Sequence, residues 1–241
     1  MTAPEPQQKQ VDELCAALYT LLPMYGPGWN WASVSAITRP SIAKILFYNE
    51  VYQKIVDVPG VICEFGVHWG GLASLLINLR GMYEPFNISR TYHGFDTFDG
   101  FPSVSVEDGS HGSVGDFKTI GRFQDALARI LQIQELMNGA RAGFELVKGD
   151  ASETVPFWLE SRPHAIIALA VLDFDLYKPT KDVLQAIMPR LVKGSVLVFD
   201  ELNHPDWPGE TTAVQEILGL NNLRLHRFPH HTYGSFAIFG E

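Results

Sequence analysis

The chain has 241 residues, 46% of them hydrophobic, 12% aromatic and 19% charged, a composition that excludes a disordered polymer. Its longest apolar run, Ala165 to Leu172, is far short of the ~20 residues that cross a bilayer. With 27 acidic against 18 basic side chains, the net charge of -9 argues against nucleic acid as the main partner and for a small molecule.

Before Gly60 the pattern is helical in two pieces. Apolar residues recur at helical spacing over Val11–Leu22 and again over Ile42–Val56. Between them lies the turn-rich stretch Pro23 to Trp31, in which Trp29 and Trp31 either stack on a ligand's base or pack the cap. Residues 1–59 therefore read as a helical cap on the rest of the chain. The polar, Pro/Gln-rich start shows no leader peptide. Cys15 and Cys63 have no framework or metal-ligand spacing, so a reducing cytoplasm is expected.

From Gly60 onward, β-rich runs alternate with amphipathic stretches, the mark of a parallel sheet with crossover helices. Strands are predicted at Val61–Phe65, Thr91–Phe95, Phe144–Lys148, Ile166–Leu172, Ser195–Phe199, Leu223–Phe228 and Ser235–Phe239. Helices are predicted at Gly71–Leu79, Phe123–Met137, Glu153–Leu159, Lys181–Leu191 and Thr212–Leu218. Only Pro229 to Gly234 joins the last two strands, which makes a hairpin and an antiparallel final strand. The glycine-rich segment 103–121 is long enough to be a lid over a site.

Three places carry chemistry. In Val61-Ile62-Cys63-Glu64-Phe65-Gly66-Val67-His68-Trp69-Gly70-Gly71 a buried strand ends in an acid before a glycine turn opens a helix. A dinucleotide site would have glycine where Glu64 stands. Glu64 repels a diphosphate and suits a cationic or hydroxyl-bearing ligand. Asp96 ends the second strand, where a carboxylate is placed to accept from a ribose diol. Asp173 and Asp175 follow the fourth strand and Asp200-Glu201 the fifth, so at least three like charges converge at strand ends. A hard divalent cation with oxygen ligands compensates them, Mg²⁺ before Mn²⁺ or Ca²⁺.

Four segments together carry a resemblance: Glu64-Phe65-Gly66-Val67 with Gly70-Gly71, Gly94-Phe95-Asp96-Thr97-Phe98-Asp99-Gly100-Phe101-Pro102, Leu172-Asp173-Phe174-Asp175-Leu176-Tyr177-Lys178-Pro179-Thr180, and Phe199-Asp200-Glu201. They resemble the S-adenosylmethionine-dependent sugar O-methyltransferases of the macrocin O-methyltransferase group, over residues 60–241. Two positions depart from the pattern: His68 stands where many methyltransferases carry glycine, and Asp200-Glu201 where the group commonly has paired Asp. The resemblance implies a class I methyltransferase (Rossmann-like) α/β fold, with a doubly wound, mostly parallel seven-stranded sheet and an antiparallel last strand. It implies that Glu64 holds the methionine end of S-adenosylmethionine, that Gly66 permits its close approach and that Asp96 binds its ribose. Asp150-Ala151 would contact adenine, although Asp150 serves equally as a helix cap. Asp173, Asp200 and Glu201 would hold the divalent metal.

The implied reaction is methylation of a deoxysugar hydroxyl in antibiotic biosynthesis, with the 3-hydroxyl of TDP-rhamnose foremost and a sugar nucleotide or glycoside as acceptor, in a homo-oligomer. A base must take the hydroxyl proton; Asp175 is the first candidate, provided the chain leaves strand geometry there, and His204 the second. His93 reads as a core histidine and His230-His231 as solvated. Two other readings stand beside this one: a cephalosporin hydroxylase-like enzyme, for which no His-plus-carboxylate iron triad is evident, and a non-catalytic binding module on the same fold.

Overall fold

A computed structural model describes residues 9, 33–139, 142–231 and 233–241. The predicted helix Val11–Leu22, the turn Pro23 to Trp31 and Cys15 lie outside these. The chain forms two compact units, Met1–Lys44 and Ile45–Glu241, and the boundary falls within helix α1, Arg39–Ile55. Of the first unit, the described part is a single 3-10 turn, Ser33–Ala36, and the opening of α1, where Thr38 O accepts from Ile42 N–H.

The second unit holds seven strands: β1 Val61–Phe65, β2 Tyr92–Asp96, β3 Phe144–Lys148, β4 Ile167–Leu172, β5 Leu191–Phe199, β6 His226–Arg227 and β7 Ser235–Ile238. Their order is β3-β2-β1-β4-β5-β7-β6. The first five run parallel, and β7 pairs antiparallel with both β5 and β6. The helices are α2 Gly71–Tyr83, α3 Phe123–Met137, α4 Ala151–Ser161, α5 Tyr177–Ile187 and α6 Gly209–Ile217. This is the doubly wound, mostly parallel α/β sheet that the resemblance implied. The chain winds outward from β1 to β3 and then restarts at β4 on the other side of β1. The crevice at the carboxyl ends of β1 and β4 is therefore the switch point at which such sheets bind ligands.

Pleating distributes the apolar residues of the central strands between two layers. Ile62, Val171, Val196 and Val198 join the layer that contains Phe47, Val51, Leu72 and Leu76 of α1 and α2. Cys63, Phe65, Ala170, Leu172, Leu197 and Phe199 join the layer of Val155, Val183, Leu184 and Val214 from α4, α5 and α6. All six residues of β4 are buried, which is why this strand reads as one uninterrupted apolar run.

The element boundaries agree with the prediction for β1, β3 and α3 and shift elsewhere. Helix α5 begins at Tyr177, four residues before the predicted Lys181, because the buried Asp108 carboxylate, 69 residues upstream, accepts from Tyr177 N–H. Pro179 falls in its first turn, where its missing donor costs nothing. The helix gives way to the 3-10 turn Met188–Arg190 around Pro189, and β5 starts at Leu191 rather than Ser195. The sixth strand shrinks to His226–Arg227, the two residues that pair with β7, and a 3-10 turn, Leu220–Asn222, lies ahead of it.

One buried cation ties the end of α1 to the sheet. Arg90 donates to the carbonyls of Ile55, Val58 and Gly60 at 2.6–2.8 Å. It also pairs with Glu84, whose carboxylate takes the Tyr52 hydroxyl at 2.7 Å. Removing one partner of a buried pair leaves the other charge uncompensated, at a cost of about 3–5 kcal/mol. Arg90→Ala should therefore lower the thermal unfolding midpoint by about 10 °C or more, as read by circular dichroism. A change of a degree or two would show that the Arg90 contacts contribute little to stability.

Candidate active site at the sheet switch point

The turn after β1 is built by two side chains. Gly66 has φ 95°, and a Cβ there would lie 1.8 Å from the carbonyl oxygen of Asp173, so only glycine lets the ends of β1 and β4 approach this closely. Asp96, at the end of β2, accepts from the N–H groups of Val67 and His68, both at 2.8 Å, and from Phe98 N–H. His68 adopts φ 49°, the left-handed conformation usual for glycine, and the carboxylate on its N–H holds it there. Inside the turn, Glu64 is 1% exposed and accepts from the Tyr92 hydroxyl at 2.7 Å. Asp150 caps α4 by accepting from Ser152 N–H at 2.9 Å, with the buried Ala151 as the first helical residue.

Across the switch point the acids converge. Asp173, Asp200 and Glu201 each present a carboxylate oxygen, and the three oxygens lie within 4.8 Å of one another. Main-chain bonds hold them there: Asp173 N–H donates to Phe65 O at 2.9 Å and Asp200 N–H to Leu172 O at 3.3 Å. Asp175 has φ 61°. The chain thus does leave strand geometry, and Asp175 lies close enough to Asp200 and Glu201 to interact with both. Burial, and then the charge of Asp200, push the Asp175 carboxyl up to about 6. Glu201 is driven far above the usual carboxylate range by burial and by Asp173, Glu210, Asp200 and Asp175.

Two members of this neighbourhood carry no local signal in the sequence. Glu210, in the first turn of α6, is fully buried, and its Oε1 accepts from Glu201 N–H at 3.2 Å. Tyr48, fully buried on α1, faces Asp200, Asp173, Glu64 and Glu201, whose charges hold its phenol protonated along with burial. Among the described residues no lysine or arginine pairs with Asp175, Asp200, Glu201 or Glu210. Asp200 Oδ1, Glu201 Oε2 and Glu210 Oε2 are buried without a hydrogen-bond partner. Orphaned carboxylate oxygens this close cost several kcal/mol unless a cation or protons neutralise them. Asp173, Asp200 and Glu201 form an all-oxygen donor set of the kind that fits a hard divalent ion.

Histidines account for most of the remaining candidates. His204 lies in the loop after Glu201 with its ring 4.2 Å from that of Tyr233, and its Nδ1 accepts from Asp206 N–H at 3.2 Å. His93 is a buried histidine bonded to Thr91 and Glu145. His230 is exposed, whereas His231 packs on Phe47 with ring centroids 5.0 Å apart. The segment 103–121 carries Phe117, whose ring meets His68 of the β1 turn on one side and Trp207 of the loop before α6 on the other. Phe101 completes that aromatic contact.

Known proteins share this fold. A family profile described as macrocin O-methyltransferase (TylF) matches residues 46–223. The crystal structure of CalS11, a calicheamicin methyltransferase, superposes with a TM-score of 0.92 at 36% identity, covering all of this chain and 95% of its own. An apo structure of CalS11, described as a TDP-rhamnose 3'-O-methyltransferase of calicheamicin biosynthesis, superposes at 0.85 with 33% identity, covering 100% and 98% of the two chains. The 8-demethyl-8-(2,3-dimethoxy-alpha-L-rhamnosyl)-tetracenomycin-C 4'-O-methyltransferase of Streptomyces olivaceus is 30% identical over 183 residues, 72% of this chain. This chain spans 65% of that relative's length, just under two thirds. The chain belongs to the macrocin O-methyltransferase family.

Proposed function

We propose that the chain transfers the methyl group of S-adenosylmethionine to a deoxysugar hydroxyl, with the 3-hydroxyl of TDP-rhamnose foremost, and that Asp173, Asp200 and Glu201 hold a divalent cation, Mg²⁺ foremost. The observation that carries this reading is the trio of carboxylate oxygens within 4.8 Å, two of the three side chains bearing orphaned buried oxygens, beside the Glu64-Gly66 turn. The extent of the likeness to CalS11 supports the sugar nucleotide as acceptor.

When bound, S-adenosylmethionine supplies an electrophilic methyl, and the cation supplies Lewis acidity that acidifies a coordinated sugar hydroxyl. The rest is the work of the chain. Glu64, fixed by the Tyr92 hydroxyl, presents its carboxylate to the cationic methionyl end. Asp96 Oδ1 accepts one backbone N–H and keeps a lone pair for a ribose hydroxyl. Ala151 and the capped turn at Asp150 meet the adenine. Asp175 takes the proton from the acceptor hydroxyl. His204 is the weaker base because its Nδ1 lone pair is already engaged by Asp206 N–H, which leaves the proton of the neutral ring on Nε2.

The decisive experiment supplies ¹³C-methyl S-adenosylmethionine with a panel of TDP-deoxysugars and rhamnosides and follows the transfer by NMR. We expect an O-methyl signal with TDP-rhamnose that EDTA abolishes and Mg²⁺ restores. Turnover indifferent to chelation would remove the cation, and turnover confined to a finished glycoside would change the acceptor. Asp175→Asn should lower kcat by about 10²–10⁴-fold with the affinity for S-adenosylhomocysteine unchanged; full turnover would eliminate Asp175 as the base.

Stability offers a second check. The metal-free fold holds the Asp175 proton up to about pH 6, whereas an ordinary aspartate releases it near 3.8. The folded state thus binds that proton more tightly than the unfolded chain, and stability falls as the pH rises from about 4 to about 6. The difference amounts to about 3 kcal/mol. In urea titrations with EDTA, Asp175→Asn, which cannot ionise, should gain on the parent by up to this amount between pH 4 and pH 7. Parallel curves for the two proteins would refute the assignment.

A further inference from the structure

The loop that carries Asp200 and Glu201 is clasped from behind by the first turn of α6. Glu210 Oε1 accepts from Glu201 N–H at 3.2 Å, and Thr211 Oγ1 accepts from Asn203 N–H at 2.9 Å. Asn203 itself sits at φ 66°, so the loop needs external bonds to keep its shape. The clasp is set by Gly209. A Cβ there would lie 2.3 Å from Asp108 Oδ1 and 2.6 Å from Tyr177 N, so glycine is what lets α6 press onto the start of α5 and push the next residue inward. That residue is a glutamate with none of its surface exposed, and its second oxygen, Oε2, has no hydrogen-bond partner. A carboxylate enclosed beside Asp173, Asp175 and Asp200, which all push its proton affinity up, is costly and is poorly explained as filling.

We propose that Glu210 is a positioning residue that fixes the main chain at Glu201 and thereby aims the Glu201 carboxylate at the divalent cation. This rests on the cation reading of the preceding subsection. The acceptor on the Glu201 N–H is the part that matters, so an isosteric amide should do what the carboxylate does and an isosteric thioether should not. Outer partners that orient a metal-holding side chain are worth about 10–100-fold in metal affinity.

The test is Mn²⁺ binding to the full chain, followed by electron paramagnetic resonance, in the parent, Glu210→Met and Glu210→Gln. Affinity for S-adenosylhomocysteine, measured by calorimetry, reports in each case that the fold is intact. We expect Glu210→Met to bind Mn²⁺ about 10–100-fold more weakly, Glu210→Gln to remain within about fivefold of the parent, and all three to bind S-adenosylhomocysteine alike. Unchanged Mn²⁺ affinity in Glu210→Met overturns the proposal, and so does equal weakening in both variants, which would make Glu210 a charge rather than a support. A parent that takes up no Mn²⁺ while binding S-adenosylhomocysteine removes the cation reading itself and this inference with it.

Discussion

Four carboxylates, Asp173, Asp175, Asp200 and Glu201, are gathered at the C-terminal ends of β4 and β5, and backbone geometry brings them together there. Asp173 and Asp200 are fixed by main-chain bonds to neighbouring strands, Glu201 by a bond from α6, and Asp175 by a left-handed residue conformation. Two unit charges about 4 Å apart repel by about 4 kcal/mol at an effective dielectric of 20, so the fold is locally unfavourable without a counter-charge. The large core offsets this: β4 is buried along its whole length, and apolar layers cover both faces of the sheet. Tolerating such a local cost at a site is what pre-organisation looks like in a domain whose net margin is small.

The cofactor side of the crevice follows the opposite logic. There the carboxylates are satisfied. Asp96 has three N–H donors, Glu64 has the Tyr92 hydroxyl, and Asp150 has the first turn of α4. One half of the crevice is thus a settled hydrogen-bonded frame and the other a concentration of carboxyl groups with buried oxygens left without a hydrogen-bond partner. The two meet where Gly66 passes the Asp173 carbonyl, so the acidic cluster and the turn after β1 are in register through a contact that only glycine permits.

Much of this was legible in the sequence, for identifiable reasons. Parallel strands buried on both faces read as short apolar runs, so β1 was bounded correctly and the β4–β5 pair was visible as two runs each ending in acids; the edge strand β3, none of whose residues is fully buried, was bounded by its β-rich run alone. The acidic residues at strand ends were legible because strand termini are where an α/β sheet opens to ligand. What escaped depends on residues distant in sequence. The early start of α5 is caused by Asp108, 69 positions away. Glu210 carries no local mark of burial, since its enclosure comes from Gly209 packing against a different helix. Tyr48 looks like an ordinary helical core residue, and only the folded sheet brings it among the acids. Asp150 shows a subtler limit: the cap is a local interaction and could be foreseen, whereas a contact to adenine cannot be read from the same residue.

The single carboxylate of Asp108 joins two parts of the enzyme that would otherwise be free to vary independently. It belongs to the segment that bears Phe117, whose ring meets His68 and Trp207, yet its oxygen accepts from the first N–H of the helix that follows Asp175. Changes in that segment will therefore reach the start of α5, two residues beyond Asp175, through one shared anion. In this scaffold the shape of residues 103–121 and the start of the helix after the acidic cluster depend on the same side chain, and neither can be rebuilt without regard to Asp108.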